Sequence, residues 1–512
     1  MKLRVAIVSL LFFVGACDEP PAKKSSSDAH SDVTILPISP RTPIVDPPVL
    51  LDPPMQPTEV LTRALLISNA QQLERAGDFP PAFVKWLMGK EAASGTAMAN
   101  WRPALPTTDE KRLAQRELNE LLSTGTSPRL NAKQKAGIAA FLLGMYGDYT
   151  GSPYEFAPFT GMPVPKSYKN KFNLKNGQWT DDFSMALCLA ASLDMNQTIH
   201  PQAATLNPAI TRLLFLAWWN FGFLNASFVP PSFDGGATFA HANAHSWGLG
   251  GNISNSFRAL LSWNDTAWTS ARDPNGLDDG NGGLMRLSPV AIYFASEELE
   301  EAAHEAAQQS RLTHFGSQAA DASRLMAAIL WMGINGTPKD KVLNDLGLAA
   351  TIAAIGLHDP HVIALAKSTV YQRENWDWKS DRYSYPTSRV AANPGYIGAY
   401  SLDALAMSLH MLSHAHNAHE AINAISTIAG LGGDSDSVAA VLGQLVGSFY
   451  GAPALAIVGT DAAIERYKKA EPNIIPAPER LTSILRALET YDDGYIAYLA
   501  LKMVSRLGGG PH

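Results

Sequence analysis

The sequence predicts an all-α fold, and three observations support this prediction. Apolar and small residues recur three and four positions apart in many separate segments, among them KQKAGIAAFLLGMYG, AITRLLFLAWWNF and DASRLMAAILWMG. Alternating runs of β-branched residues, which are typical of strands, are nearly absent. Hydrophobic residues make up 46% of the 512 residues and charged residues 17%, a balance that indicates a large folded core.

The first element is a stretch typical of a bacterial secretion signal. Lys2 and Arg4 precede an apolar run at 5–16 that is too short to span a membrane comfortably. The letters VGAC at 14–17 are similar to a lipoprotein cleavage box, in which Cys17 is lipidated and becomes the new N-terminus; an ordinary signal peptide with a chance cysteine is the alternative. Residues 1–17 therefore predict a lipid-anchored protein of the bacterial cell envelope that faces the periplasm or the exterior, with membrane contact through the lipid only.

Three further segments follow the signal. Residues 18–57 are rich in Pro, Ser and Asp and predict a disordered tether. Residues 58–130 have helical periodicity and predict a helical N-terminal extension. Residues 131–512 form the main body, in which Cys188 is expected to be a small buried thiol. The net charge is −7 and no basic stripe is present, so we expect no nucleic-acid partner.

Small residues at helix-packing positions characterise the body. Ala439, Gly443 and Gly447 recur every four residues in the last long apolar segment. Such spacing lets neighbouring helix backbones approach closely. The sequence therefore predicts a tight helical bundle around a central cleft.

Two acidic clusters each open an apolar helix, GGDSDS at 432–437 and TDD at 180–182. Each could simply cap its own helix, and two independent caps are one interpretation. If the two helix starts meet, four carboxylates and two hydroxyls form a set of hard oxygen donors that suits Mg²⁺ or Mn²⁺. A calcium-binding EF-hand is excluded, because the loop that begins at Asp434 lacks the central glycine and has Leu445 in place of the bidentate glutamate.

Five segments in order resemble the motifs of the ADP-ribosylglycohydrolase family, which includes the dinitrogenase reductase-activating glycohydrolases. The segments are GMYGDYTGSPYEF at 144–156, TDD at 180–182, GNGGLMRLSP at 280–289, LTH at 312–314 and the stretch from GGDSDS to Tyr450. They extend over most of the body, from about Ala136 to Pro453. The resemblance implies a compact orthogonal helical bundle of that family's type.

The resemblance also implies an activity and a site. The family hydrolyses the bond between the anomeric carbon of a ribose in ADP-ribose and an attached group. It implies a cofactor of two Mg²⁺ or two Mn²⁺ ions, held by Thr180, Asp181, Asp182, Asp434, Asp436 and Ser437. Glu155 would lie over this centre as the acid/base or gating carboxylate, and Asp182 is assigned to the catalytic set with it.

Other residues in the motif-like segments have more than one possible role. Backbone N–H groups of Asn281, Gly282 and Gly283 could bind the substrate pyrophosphate, and a plain turn is the alternative. Asp148 is expected to cap or support the Glu155 loop, and His314 is expected to be a packed or hydrogen-bonded histidine. Two other groups are expected outside the site: a solvated histidine patch at positions 410, 414, 416 and 419, and core aromatic residues at 218–221.

Three positions depart from the family pattern. Ser437 is present where the family usually has threonine, although its hydroxyl can still ligate a metal. Phe183 replaces the second threonine of the T-D-D-T motif, and Leu249 is found where some members have an aspartate. These changes affect groups that support the metal or contact the substrate.

Three functional hypotheses follow. The first is a metal-dependent hydrolase that cleaves ADP-ribose, or a related riboside, from a protein side chain or a small molecule. The second is a non-catalytic ADP-ribose-binding or structural protein with the same fold. A third, an unrelated glycosidase of helical-barrel type, requires a carboxylate pair and not hydroxyl-flanked acidic clusters, so it fits poorly.

Overall fold

The structure is a computed structural model. It describes residues 57–92, 106–159, 163–165, 168, 172, 174–201, 205–226, 246, 248–259, 278–369, 397–471 and 481–508. All of these residues fall within one compact unit, 42–512. The predicted signal, the lipidated Cys17 and most of the predicted tether lie outside the described residues.

The described residues form α-helices with the following bounds. The first ten are α1 Pro57–Ala76, α2 Pro81–Ala92, α3 Thr108–Thr124, α4 Ala132–Gly151, α5 Asp181–Ile199, α6 Pro208–Phe221, α7 Gly251–Ala259, α8 Gly282–Met285, α9 Ser288–Tyr293 and α10 Leu299–Arg311. The others are α11 Ser317–Ile334, α12 Lys339–Asp345, α13 Ala349–Ala354, α14 Pro360–Lys367, α15 Ser401–His414, α16 Ala418–Ala429, α17 Ser435–Val458, α18 Asp461–Ala470, α19 Ile484–Tyr491 and α20 Tyr495–Ser505. A single 3₁₀ turn, Ser152–Tyr154, follows α4.

The all-α prediction is confirmed. Within the ranges given above the chain forms no β-strand, and an isolated bridge pairs Gly280 with Tyr400. The segment predicted as an N-terminal extension is helical in α1, α2 and α3. Helix α2 packs on α6 and on the residues after it through aromatic side chains, with the Trp86 ring 6.3 Å from that of Phe221 and the Phe83 ring 5.0 Å from that of Phe223.

The helices α4 and α17 form the centre of the molecule and run antiparallel in direct backbone contact. A methyl group at Gly147 would overlap the carbonyl oxygen of Ala439, and one at Gly443 would overlap the carbonyl oxygen of Leu143. Gly447 lies equally close to the α4 backbone one turn further on. The close approach predicted from the spacing of small residues is therefore confirmed, and it brings the end of α4 beside the start of α17.

Helix α17 is also the core helix of the bundle. Among the described helices it is the one that is long and apolar enough to cross a membrane. Its most apolar stretch of 18 residues is 67% buried inside the fold. Packing against α4, α11, α15 and α16 accounts for this burial. Trp218 and Phe221 on α6 are likewise buried, in agreement with their assignment to the core.

Candidate metal centre

Glu155 enters the site through the contact between α4 and α17. The Ser435 hydroxyl donates to the carbonyl oxygen of Gly151 at 3.0 Å, which joins the two helix ends. One 3₁₀ turn then leads to Glu155, which is 7% exposed. The next residue, Phe156, has φ +64°, a strained conformation that is uncommon for a bulky residue and is enriched at functional sites.

The two glycines of the GGDSDS loop hold the Glu155 segment in place. Phe156 N donates to Gly433 O at 3.1 Å, and Gly433 N donates to Ala157 O at 2.8 Å. Gly432 and Gly433 have φ +81° and +71°, and a side chain at either would press on a neighbouring carbonyl oxygen. Only glycine satisfies both the backbone angle and the close approach.

Asp148 organises the TDD cluster from the opposite helix. Its carboxylate accepts hydrogen bonds from Thr180 N at 2.9 Å, Thr180 Oγ1 at 3.0 Å and Phe183 N at 3.0 Å. It therefore satisfies the free N–H groups at the start of α5, a task usually performed by the residue at the helix start. We expected Asp148 to cap or support the Glu155 loop, whereas its carboxylate accepts hydrogen bonds from the start of α5.

The starts of α5 and α17 meet at the Thr180 hydroxyl. Thr180 Oγ1 lies 3.0 Å from Asp182 Oδ2 and 3.2 Å from Asp436 Oδ2, although Thr180 and Asp436 are 256 positions apart. Thr180 and Asp434 occupy the cap positions of their helices, but neither side chain makes a capping hydrogen bond. The interpretation as two independent caps is therefore wrong, because the side chains of the two clusters face one another.

The structure places carboxylate oxygens within 4.8 Å of one another in two overlapping groups. One contains Asp148, Asp182 and Asp436, and the other contains Glu155, Asp434 and Asp436. Asp181 belongs to neither group, since its carboxylate lies against the backbone of Gly248. In the described part of the chain, none of the four histidines at 410, 414, 416 and 419 belongs to such a group.

Burial and mutual repulsion raise the pKa values of these acids. Burial raises the pKa of Asp148 to about 7, although hydrogen bonds from Thr180 and Phe183 oppose the change. Burial, with the charge of Asp148, raises the pKa of Asp181 to about 8. The pKa values of Asp182 and Asp436 are held well above the usual range, first by burial and then by neighbouring carboxylates. Without a cation, the protein holds protons at this site.

The chemistry of the donor set fits divalent cations. Asp182 Oδ1 is buried and accepts no hydrogen bond from any described residue, so a ligand-binding oxygen remains inside the site. Hydroxyl and carboxylate oxygens are the donors that Mg²⁺ and Mn²⁺ prefer. Ser437 N donates to Asp436 Oδ1 at 3.0 Å, so the residue that replaces the usual threonine lies beside the same set of oxygens.

The GNG segment contacts the site through a side chain. Asn281 Nδ2 donates to Asp434 Oδ2 at 2.8 Å and to Gly398 O at 2.8 Å. Side chains at Gly282 and Gly283 would press on His314 and Ser310, so these glycines have a packing role. Binding of substrate by Asn281, Gly282 and Gly283 stays a prediction.

The structure accounts for two departures from the family pattern. The Phe183 ring packs in the core, 4.9 Å from Phe141 and 5.7 Å from Trp179, while its backbone N–H binds Asp148. Leu249 packs against the hydrophobic core. Both side chains thus contribute apolar contacts to the core.

Sequence reasoning missed two buried polar side chains beside the site. Arg286 is fully buried and donates to Gln309 and Thr313. Gln444 links α17 to α8 and α9, because its amide accepts from Ser288 N at 2.7 Å and donates to Met285 O at 2.7 Å. For Arg286 the available signal was its place in the GNGGLMRLSP segment at 280–289, whereas Gln444 offered only a lone polar residue in an apolar segment.

Comparison with known proteins identifies the family of the chain. The ADP-ribosylglycohydrolase family model matches residues 130–467, about two thirds of the chain. The chain therefore belongs to the ADP-ribosylglycohydrolase family.

Two curated relatives and one solved structure are similar to the chain. ADP-ribosylarginine hydrolase Tri1 of Serratia proteamaculans (strain 568) is 26% identical over 353 residues, which cover 68% of this chain and 80% of the relative. The Tri1 protein of Pseudomonas putida (strain GB-1) is 28% identical over 314 residues, 60% of this chain and 69% of the relative. A solved structure described as an ADP-ribosylglycohydrolase-related protein complex has a TM-score of 0.46 and 22% identity, and the match covers 73% of this chain and 100% of that one.

Proposed function

We propose that this protein is a metal-dependent hydrolase that removes ADP-ribose from a modified side chain. The observation that carries the proposal is the meeting of the two acidic helix starts at Thr180, with Glu155 beside them. Thr180, Asp181, Asp182, Asp434, Asp436 and Ser437 would hold two Mg²⁺ or two Mn²⁺ ions. When bound, the ions would orient the ribose hydroxyls and lower the pKa of a water molecule.

Glu155 is the residue we assign to proton transfer. Its carboxylate lies close to Asp434 and Asp436, yet it is attached to a different element, the turn after α4. A carboxylate that is separate from the main ligand set can accept a proton from water or donate one to the leaving group. Asp182 stays in the predicted catalytic set, because its carboxylate lies in one group of oxygens with Asp436, which also neighbours Glu155.

We propose arginine as the modified side chain. Both curated relatives are named as ADP-ribosylarginine hydrolases, and the matches cover more than two thirds of each relative. The bond to be cleaved would join the anomeric carbon of ADP-ribose to a guanidinium nitrogen. Water would supply the oxygen that bonds to the anomeric carbon as the C–N bond breaks, and a proton donated to that nitrogen would let arginine leave as a guanidine and not as an anion.

The test measures metal content and release of ADP-ribose from an arginine-ADP-ribosylated protein. The comparison variant is Asp434→Ala plus Asp436→Ala. Its matched control is Asp109→Ala plus Glu300→Ala, which removes two exposed carboxylates from other helices. We expect the parent and the control to bind Mg²⁺ or Mn²⁺ and to release ADP-ribose, and the comparison variant to do neither.

Two results would contradict this proposal. A parent protein that binds neither metal nor ADP-ribose would exclude the hydrolase. Binding of ADP-ribose without cleavage of any ADP-ribosyl conjugate would favour the non-catalytic alternative.

We also propose that the protein is anchored to the bacterial envelope by a lipid on Cys17. The support is the signal-like sequence at 1–17 alone. In cells labelled with radioactive palmitate, we expect label on the parent and none on Cys17→Ser. Equal label on both proteins would contradict the proposal.

A further inference from the structure

Three buried side chains beside the metal centre form a hydrogen-bonded chain: Arg286, Thr313 and His314. Arg286 Nη2 donates to Thr313 Oγ1 at 2.7 Å, and Thr313 Oγ1 lies 2.8 Å from His314 Nδ1. We propose that Arg286 and Thr313 are positioning residues that hold His314 in the tautomer with its proton on Nε2.

Arg286 is fixed at one end of this chain. Its Nε donates to Gln309 Oε1 at 3.0 Å, and its Nη2 donates also to Gln309 O at 3.0 Å. The guanidinium carbon lies 4.7 Å from the centre of the Phe215 ring, which favours a cation. A guanidinium can only donate hydrogen bonds, so the Thr313 oxygen must act as an acceptor toward Arg286.

The Thr313 hydroxyl hydrogen then determines the tautomer. Thr313 is 2% exposed, and in the described residues its hydroxyl contacts no polar atom other than those of Arg286 and His314. If His314 Nδ1 carried a proton, the hydroxyl hydrogen of Thr313 would be buried without an acceptor, which is costly. Donation from the hydroxyl to Nδ1 satisfies both groups and leaves the proton of the neutral ring on Nε2.

The ring is neutral as this argument requires. Burial, together with the charge of Arg286, lowers the pKa of His314 to about 3. A protonated ring would also place an Nδ1–H donor against Thr313 and leave the hydroxyl hydrogen of Thr313 without an acceptor. Arg286 and Thr313 therefore select between the two tautomers of a neutral His314 ring.

The protonated nitrogen faces the GNG segment. A side chain atom at Gly280 would lie 3.0 Å from His314 Nε2 and 3.0 Å from Asn252 Nδ2, and one at Gly282 would lie 2.9 Å from His314 Nε2. No described residue accepts a hydrogen bond from Nε2, although His314 is only 3% exposed. The N–H group thus lies beside the two glycines that flank Asn281, and the Asn281 side chain is bound to Asp434.

This geometry gives Arg286 and Thr313 a role in substrate binding, and that role rests on the proposed function. A fixed Nε2–H group beside the site would donate to an acceptor oxygen of the ADP-ribosyl substrate. The other tautomer would present a lone pair there and repel the same oxygen.

Thr313→Val and Thr313→Ser provide a matched pair for the test. Valine keeps the shape of threonine and removes the hydroxyl, whereas serine keeps the hydroxyl. The tautomer is read from long-range ¹H–¹⁵N correlations of the histidine-labelled full chain, with the His314 signals assigned from their loss in His314→Gln. We expect Nε2–H in the parent and in Thr313→Ser, and loss of that preference in Thr313→Val.

Kinetics provide a second readout. The loss of one oriented hydrogen bond predicts an increase of about three- to tenfold in the KM for an ADP-ribosylated arginine protein in Thr313→Val. We expect kcat to change less than KM, and Thr313→Ser to resemble the parent.

The outcomes separate this inference from the proposed function. A proton on Nδ1 in the parent would overturn the inference, even if the valine variant fails to fold. An altered tautomer with an unchanged KM would overturn the use of the N–H group. The expected tautomers in a protein that cleaves no ADP-ribosyl conjugate would support the positioning role and contradict the proposed function.

Discussion

Asp148 is a single carboxylate on α4 that orients residues at the start of another helix, α5. It accepts hydrogen bonds from three donors, Thr180 N, Thr180 Oγ1 and Phe183 N, and it lies within the same group of oxygens as Asp182 and Asp436. An ionised carboxylate is purely an acceptor, so it matches the three donors that surround it.

Asp148→Asn is expected to weaken metal binding without unfolding the protein. The amide NH₂ would face N–H donors at the start of α5, so the TDD cluster would lose its orientation. We expect metal affinity to fall about 10- to 100-fold, the usual effect of changing a group that supports a metal ligand. Titration with Mn²⁺ measures this change.

Asp321→Asn is the matched control for that variant. Asp321 accepts hydrogen bonds from His358 N and Asp359 N, each at 2.6 Å, and has no place in either acidic group. It should lose stability and keep its metal affinity. An equal loss of affinity in both variants would show that Asp148 acts through general stability.

Glu155→Gln is expected to separate catalysis from metal binding. The substitution keeps the shape of the side chain and removes its ability to transfer a proton. We expect kcat to fall about 10²- to 10⁴-fold, the usual contribution of general acid–base catalysis. Metal content, measured on the same sample, should match that of the parent; a variant with full activity would remove Glu155 from the mechanism.

Helices α4 and α17 determine the geometry of the site at the scale of elements. Their glycines remove the side chains that would separate the two backbones, so Glu155 at the end of α4 reaches the acids at the start of α17. Packing density inside proteins leaves no room for added atoms at such a contact.

Gly147→Ala is expected to destabilise the fold and weaken the site together. The new methyl group would overlap Ala439 O, and overpacking in a core usually costs about 1–3 kcal/mol. Thermal unfolding and Mn²⁺ titration measure the two effects. The control is Gly251→Ala on α7, where nothing lies within 4 Å, and it should not reduce stability. A stable Gly147→Ala variant with normal metal affinity would contradict this account of the helix pair.

The buried acids link the stability of the whole molecule to pH and metal. Asp148 and Asp181 have pKa values raised to about 7 and 8 in the folded protein, whereas the same groups titrate near 3.8 when unfolded. Between pH 4 and pH 8 the folded state therefore binds more protons than the unfolded state. Its stability must fall as pH rises through that range.

We expect metal-free protein to lose thermal stability between pH 5 and pH 8. The slope is up to about 1.4 kcal/mol per pH unit for each affected group. Mg²⁺ or Mn²⁺ should flatten the slope, because the cations bind the ionised carboxylates and release their protons. Thermal unfolding with chelator and with added metal measures both. A slope that is unchanged by metal would contradict a metal centre at these acids.

The sequence by itself determined the helical class and the identity of the acids. Apolar spacing, small residues in the α17 segment and two acidic helix starts were sufficient, because these patterns depend on local backbone geometry and on motif order. The match of five motifs added the family and the expected roles of Glu155 and the ligand set.

Only the tertiary structure decided which polar groups meet. Asp148 serves α5 from across the site, Asn281 binds Asp434, and Arg286 reaches His314 through Thr313. These partners are separated by 1 to 153 positions in the chain. Most of the separations match no helical repeat, so a sequence pattern does not reveal the pairs. Local sequence governs which residues begin a helix, whereas the antiparallel contact of α4 with α17 sets which oxygens share one buried space.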